Sequence, residues 1–346
     1  MKIDLKSMDG RELQEWAGAM GLEPYRAGQI RHWMFHKLAG SFEEMTDLPK
    51  GLREELGRSA LAKTLEIIGT ETSRDGTKKF LFQTQDDCRI EAVLIPERDH
   101  FTLCISSQAG CAMNCRFCLT GALGFKRNLR ASEIIDQVIE VNRGMERPEK
   151  LTNIVFMGMG EPLANYEEVV RAIRNLIGED GMNFSHRKVT LSTCGIIEKM
   201  EKLGRDVSVN LAVSINAADE ETRNFLMPVN RNNPLKELIE ACRRFPLPNR
   251  RMITFEYVLI NGVNSGDRDA RNLAKLLSGI RAKINLIPLN PYPGLDLTPP
   301  TMERILRFQE ILVRHNYTAI IRKSKGQDIS AACGQLSGDY NRGKAA

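Results

Sequence analysis

No run of apolar residues in this 346-residue chain approaches the ~20 needed to cross a bilayer. The charged and polar opening, Met1 to Trp16, has no apolar stretch followed by a cleavage site, so it does not read as a secretory leader. Charge of one sign is scarce too: 49 Lys plus Arg stand against 44 Asp plus Glu. That mild basic excess permits a nucleic-acid partner without demanding one. Low-complexity tracts and internal repeats are missing, and only the short tail from Gly338 reads as disordered. These absences exclude a membrane protein. A composition of 42% hydrophobic and 27% charged residues excludes wholesale disorder. The expectation is a cytoplasmic chain, long enough for more than one folding unit.

Cysteine, by contrast, is plentiful, with eight residues. In a cytoplasmic chain these are poor candidates for structural disulfides, so any clustering directs attention to metal or redox chemistry. Cys111, Cys115 and Cys118 form a CxxxCxxC within Gly110-Cys-Ala-Met-Asn-Cys-Arg-Phe-Cys-Leu-Thr120. Three thiolates on one short loop can wrap a face of a cuboidal 4Fe–4S cluster and leave the fourth iron open. Structural zinc is the competitor. It takes four N or S ligands, commonly a CxxC knuckle plus a second pair, and no second pair follows here.

The rest of the chain falls into zones. From residue 5 to about 56, Leu13, Trp16 and Met20, then Ile30, Trp33, Met34 and Leu38, recur at helical spacing between Gly21, Pro24 and Gly40. Arg26, Arg31, His32, His36 and Lys37 are interleaved, giving a helical unit with a basic side that is either a solvated face or an RNA contact. Residues 64–100 turn to strands, divided by Arg74-Asp75-Gly76 and ending in a strand at 89–96. Beyond Phe101, strands predicted at 102–106, 153–157, 188–192, 207–214, 252–259 and 283–288, with another near 319–322, alternate with helices such as 131–143, 166–177, 236–244 and 267–277. Such alternation means parallel strands with crossover helices. About six units, against the eight of a complete barrel, predict an α/β fold built as an incomplete (β/α)6 barrel, with a doubly wound sheet as the alternative. The expected organisation is a helical accessory domain at 1–60, a β-rich extension at 61–100, the partial barrel at 101–337 and a tail at 338–346.

Polar residues collect where such folds build their sites, at the carboxyl ends of the parallel strands. The cysteine loop follows the first of these strands. Phe156-Met-Gly-Met-Gly-Glu-Pro162 follows the second; Gly160 would let backbone approach a ligand closely and Glu161 could accept from an ammonium group, although a plain tight turn is the simpler reading. Ser192, then Ser214-Ile215-Asn216, then Asn290 end later strands. Each alone could be an ordinary loop residue; their joint placement is what points to a site.

The CxxxCxxC with Phe117 before its last cysteine resembles the radical S-adenosylmethionine (SAM) superfamily, whose members bind SAM at the open iron through its amino and carboxylate groups. The resemblance narrows to the RlmN and Cfr family of RNA adenine methyltransferases, nearest its RlmN branch. It is carried by residues 103–118, Gly158-Met-Gly-Glu-Pro-Leu-Ala-Asn165, Val189-Thr-Leu-Ser-Thr193, Leu211-Ala-Val-Ser214, Asn290-Pro-Tyr-Pro293 and Gly326-Gln-Asp-Ile-Ser-Ala-Ala-Cys-Gly-Gln-Leu336. It runs from the helical unit to Cys333. Ile215-Asn216 stands where the family often has Leu-His, and Cys194 where Ser or Ala is usual.

The resemblance implies a 4Fe–4S cluster on Cys111, Cys115 and Cys118, with SAM held by Gly160, Glu161, Ser192, Ser214, Ile215, Asn216 and Asn290. It implies methylation of adenine carbon 2 in 23S rRNA and in tRNA, at the adenine 3′ of the anticodon. That carbon lies between two ring nitrogens and is too electron-poor to attack a methyl electrophile. Family members instead methylate a cysteine, here Cys333, from a first SAM. A 5′-deoxyadenosyl radical from a second SAM takes hydrogen from that methyl group, and the resulting thiomethylene radical adds to the base. Glu91 would accept the ring proton, and Cys104 would attack the Cys333 sulfur to free the product and leave a disulfide for cellular thiols to reduce. A flavodoxin-type electron donor is implied as well. By their own pattern, Cys104 reads as a buried hydrophobe and Glu91 as a polar residue on the solvent face of a strand. Lys126, Arg127, Arg130, Arg322, Lys323 and Lys325 flank the expected entrance and would hold RNA phosphates while the base is extruded. The alternatives are Cfr-like methylation at carbon 8, toward which Pro162 does not lean, a non-catalytic cluster or zinc RNA-binding module, and a radical SAM activase acting on a protein.

Overall fold

Strand order follows chain order throughout the main sheet of the protein, which is described by a computed structural model over residues 2–248 and 250–338. The tail expected from Gly338 lies outside these residues, apart from Gly338 itself. Ten strands form one sheet among the described residues: β1 (Leu65–Thr72), β2 (Lys78–Thr84), β3 (Arg89–Pro96), β4 (Phe101–Cys104), β5 (Leu151–Phe156), β6 (Val189–Thr193), β7 (Asn210–Ser214), β8 (Ile253–Leu259), β9 (Ala282–Pro288) and β10 (Thr318–Ile321). From β4 to β10 every neighbouring pair is parallel. Parallel neighbours require a crossover, and helices supply them. With α1 to α3 reserved for the N-terminal unit, these are α4 (Ala131–Arg143), α5 (Tyr166–Ile177), α6 (Ile197–Asp206), α7 (Glu220–Leu226) with α8 (Leu235–Arg244), α9 (Asp267–Leu276) and α10 (Met302–Arg314). Six crossovers joining seven strands are the partial barrel that the alternation predicts.

The β-rich extension continues the barrel sheet: β1 pairs antiparallel with β2, β2 with β3 and β3 with β4, so these strands prolong the sheet past its first parallel strand. One sequence expectation shifts. The strand predicted at 207–214 begins only at Asn210, because α6 runs to Asp206 and Val207 caps it through its N–H to Leu203 O.

α4 shows how the sequence sets the packing. Ile134, Ile135, Val138, Ile139 and Val141 fall on the sheet-facing side, yet Ser132, Glu133, Asp136 and Gln137 are buried as well. A helix buried all round must be covered twice, and its second cover is the N-terminal unit. That unit comprises α1 (Gly10–Ala19), with an Asp9/Glu12 capping box, α2 (Tyr25–Phe35) and α3 (Lys50–Ser59). Four buried polar side chains on α4, those of Ser132, Glu133, Asp136 and Gln137, find partners. Asp136 pairs with Lys6 and accepts from the Thr64 N–H and hydroxyl; Glu133 takes Arg127 and Arg130; Gln137 accepts from the Ser106 N–H. Leu5, Leu13, Met34 and Phe35 belong to the same apolar core as the barrel. The helical unit is therefore packed onto the barrel, not strung from it.

Candidate active site

The carboxyl ends of the parallel strands bring the predicted residues to one edge. β4 leads through a short strand, Gln108–Gly110, into the cysteine loop, and Phe125–Asn128 pairs antiparallel with that strand on the far side, so the loop is closed at its base. Cys111 is buried and Cys115 and Cys118 are half-buried, all as free thiols. Burial pushes the Cys111 thiol up to about 12 and raises Cys115 and Cys118, and Cys115 is raised further by the other two, so the three thiols share one neighbourhood. Among the described residues no three His, Cys, Asp or Glu side chains gather round the position of a single ion. A cuboidal cluster takes one thiolate at each of three separate corners, and a loop bearing three spaced thiols fits it.

After β5, Gly160 has φ +101°, and a Cβ there would lie 2.5 Å from the Gln108 side chain; only glycine lets this turn close against the start of the cysteine loop. Glu161 follows, almost wholly buried. One carboxylate oxygen accepts from the Leu163 N–H at 3.0 Å and the other from the Cys194 N–H at 2.7 Å, while burial raises its pKa. The Cys194 thiol and the Thr193 hydroxyl also hydrogen-bond this carboxylate, which fixes its charge at the strand edge where a ligand ammonium would meet it. Ser192 and Ser214 end β6 and β7, half-buried at the same edge. Ile215 is buried beside them. Asn216, also buried, has a left-handed backbone (φ +55°); its side chain accepts from the Val258 N–H at 2.7 Å and faces Met227 Sδ at 3.2 Å. That side chain is committed to holding the β7 and β8 ends together. Asn290, after β9, donates to Cys333 O at 3.1 Å and accepts from the Ser324 hydroxyl and the Gln327 amide.

Cys333 arrives from the other end of the chain and lies on the cysteine loop. Leu119 N–H donates to Gly334 O at 2.7 Å, and the Thr120 hydroxyl to Leu336 O at 2.7 Å. Gly334 has φ +84°, and a Cβ would press on Phe117 O at 3.2 Å. Cys333 is exposed as a residue, but its thiol is ringed by protein, and desolvation raises its pKa; Glu256 raises it further and Arg322 opposes. Cys104, at the end of β4, is buried and free. Its thiol is raised by burial first and by the neighbouring Cys333 second. Glu91 is only 1% exposed, although the sequence placed it on a solvent face. Its carboxylate accepts from the Ser337 N–H at 2.8 Å and the Gly338 N–H at 3.2 Å, and lies 3.3 Å from Lys79 Nζ.

Of the basic residues flanking the entrance, Arg127 is occupied by Asp86 and Glu133, and Arg130 by Glu133. Lys126, Arg322 and Lys323 are exposed and in no ion pair among the described residues. Arg31, counted with the basic side of the N-terminal unit, is buried against Asp180, Asn175 and Met8 O. A residue beside Cys333 also escaped the sequence reading. Glu256 is buried in β8, accepts from Asn285 Nδ2 at 2.9 Å, is raised by desolvation and faces Cys333. A lone acid in the apolar run Ile253–Leu259 was the available signal.

A partial parallel barrel carrying this cysteine loop at its carboxyl edge defines a radical SAM protein, and residues 105–276 match the model of the Radical SAM superfamily. This superfamily works with a 4Fe–4S cluster and SAM. A crystal structure of a radical SAM methyltransferase from Sphaerobacter thermophilus superposes with a TM-score of 0.94 at 45% identity, covering 97% of this chain and 100% of that one. Residues 3–62 match the Ribosomal RNA large subunit methyltransferase N-terminal domain. The dual-specificity RNA methyltransferase RlmN of Geobacter sulfurreducens is 52% identical over 97% of this chain and 92% of its own length, and that of Syntrophus aciditrophicus is 49% identical over 97% of both. The chain belongs to the RlmN family of radical SAM RNA methyltransferases.

Proposed function

We propose that this chain methylates carbon 2 of adenine in 23S rRNA and tRNA, with Cys333 as the carrier of the methyl group. The observation that carries this reading is the seating of the Cys333 loop on the cysteine loop through the Leu119–Gly334 hydrogen bond, with Cys104 and Glu91 at the same mouth. When bound, cluster and SAM supply a methyl group and then a hydrogen-abstracting radical. Cys111, Cys115 and Cys118 would hold the cluster. Glu161, Gly160, Ser192 and Ser214 would hold SAM, with Ile215 and Asn216 shaping the floor and Asn290 beside them.

Cys333 takes the first methyl on sulfur and loses its thiol proton. Its methyl carbon, after losing a hydrogen atom, bonds to carbon 2 and links protein to RNA. Glu91, fixed by two backbone amides and Lys79, accepts the proton from that carbon, and the unpaired electron of the adduct would pass back to the cluster, leaving a closed-shell thioether between protein and base. Cys104, as the thiolate, then attacks the Cys333 sulfur; the carbon–sulfur bond breaks, the freed carbon takes up a proton to become the methyl group, the methylated base leaves, and a Cys104–Cys333 disulfide awaits two electrons from a cellular thiol. Burial keeps Cys104 protonated at rest, and Arg322, which both thiols feel, favours the thiolate when it is needed. A flavodoxin-type donor would reduce the cluster.

RNA phosphates would meet Lys126, Arg322 and Lys323. Across the N-terminal unit the exposed His32, His36 and Lys37 remain for RNA, whereas Arg31 does not. Deleting that unit would strip Lys6 from Asp136 and open the core, so its role is tested by substitution: H36E/K37E should weaken RNA binding with SAM cleavage retained, and unchanged RNA affinity would remove the assignment. The whole reading is tested by iron and sulfide content with intact mass of anaerobically purified protein, expected to show a cluster and one added methyl on Cys333. Mass spectrometry of digested RNA should then show 2-methyladenosine; 8-methyladenosine would overturn the regiochemistry, and zinc or no metal would overturn the chemistry.

A further inference from the structure

Arg223 lies in α7 and is 0% exposed, yet among the described residues its guanidinium meets only neutral groups. Nη2 donates to Cys194 O at 2.7 Å and to Ser214 O at 3.4 Å, Nη1 faces Met227 Sδ at 3.9 Å, and Nε is buried with no partner. The acid three residues earlier, Glu220, feels the Arg223 charge but forms no ion pair with it and is taken up by Asn230 Nδ2 and the Leu235 and Lys236 N–H groups. A buried charge without a direct ion pair is costly, and proteins keep such charges only where something neutralises them.

The surroundings say what that is. Cys194 O and Ser214 O stand at the carboxyl ends of β6 and β7, and the Cys194 N–H in turn holds Glu161. The Arg116 N–H donates to Leu226 O at 3.0 Å, which ties the cysteine loop to the end of α7. Cys115, Met113 and Phe117 pack against the small apolar cluster that contains Leu226, Met227 and Cys194. Arg223 thus sits directly behind the loop, close enough for its charge and that of Cys115 to act on each other. Three thiolates outweigh the doubly positive core of a cuboidal cluster by one charge, and reduction adds another.

We propose that Arg223 is the buried counter-charge of the cluster, a positioning residue that neutralises the thiolate-bound centre from behind and raises its reduction potential. This rests on the assignment of Cys111, Cys115 and Cys118 as cluster ligands. A fixed cation stabilises the more negative, reduced centre more than the oxidised one, so removing it lowers the potential.

The test compares full-length wild type, R223K and R223Q, each reconstituted anaerobically. Both variants keep an N–H donor for Cys194 O, but only the lysine keeps the charge. In titrations followed by electron paramagnetic resonance, R223Q should lose about tenfold in the reduction equilibrium, ~59 mV for one electron, and R223K should stay within about threefold of wild type. Thermal midpoints give a second reading that needs no cluster. Without cluster, R223Q should melt at or above R223K; with cluster, the order should reverse. Equal behaviour of the two variants, or failure of both to fold without cluster, would reduce Arg223 to a strap on two carbonyls and overturn the proposal. Wild type without iron would instead overturn the ligand assignment beneath it.

Discussion

The cysteine loop and the Cys333 loop lie against each other and together carry four thiols, but they are built by opposite means. The first is made locally: eight residues hold three cysteines, a short antiparallel pair closes the base, and α7 supports it from below. The second has only the three-residue turn Gln327–Ile329 as regular structure and is held from outside, by Leu119, Thr120, Asn290, Pro291 and Glu91. A ligand set must keep its shape before its ligand arrives, so it is assembled from neighbours in sequence. A thiol that must first receive a methyl group, then bond to a base, then meet Cys104, needs a seat whose hydrogen bonds can be remade.

The sharpest way to separate the two loops is to remove one thiol from each. Cys115→Ala should abolish cluster retention and every downstream activity, read as iron content and 5′-deoxyadenosine formation. Cys333→Ala should lower methylation by about a thousandfold or more, the scale on which loss of a covalent carrier is felt, while iron content stays at the wild-type level. If Cys333→Ala also lost its iron, the Cys333 loop would belong to the cluster's support and the contrast between the loops would fail.

The contrast also marks how far the sequence could be read. The CxxxCxxC is legible because all three thiols sit within eight residues, and the parallel strands because buried β-branched runs alternate with amphipathic helices. Strand β3 and helix α4 fall where the periodicity predicts them. What periodicity could not supply was pairing across distance. It did not show that β1 to β3 extend the barrel sheet, that Arg31 turns inward to Asp180, or that Glu91, read as a solvent-facing strand residue, is covered by Ser337 and Gly338 from 246 and 247 residues away. Glu256 and Arg223 were invisible for the same reason: an acid in a strand and an arginine in a short helix look ordinary until burial is known. The roles of Cys333 and Cys104 came from family resemblance alone.

Loosening the Cys333 seat should cost less than removing the thiol. Asn290 bonds Cys333 O on one side and Ser324 and Gln327 on the other, so Asn290→Ala removes three partly buried hydrogen bonds, each worth about 0.5–1.5 kcal/mol. Methylation should fall roughly ten- to a hundredfold, and limited proteolysis within residues 324–338 should quicken, with cluster content unchanged. Equal proteolysis rates in variant and wild type would show that the loop is not held from this side. Gln335→Ala, which frees the Pro291 carbonyl and the Ala332 N–H, should show the same pattern more weakly.

The smallest effect, and the one that reports on the loops without any substitution, is the pH dependence of stability. In the chain without cluster, burial pushes Cys111 up to about 12 and raises Cys115 and Cys118, against an unfolded thiol near 8.5. A folded-state pKa above the unfolded one means that the folded chain holds its protons longer. The thiols' contribution is therefore fully present below about pH 8.5 and is lost as pH climbs from there toward 12. With cluster bound the ligating thiols are already thiolates, so their effective pKa lies below the unfolded value and the sign reverses: stability is then lost as pH falls. Denaturation midpoints at pH 7.5 and 9.5 should accordingly drop for the cluster-free chain and hold or rise for the loaded one. Parallel trends in the two forms would mean that Cys111, Cys115 and Cys118 do not change protonation on loading, which a thiolate-held cluster requires.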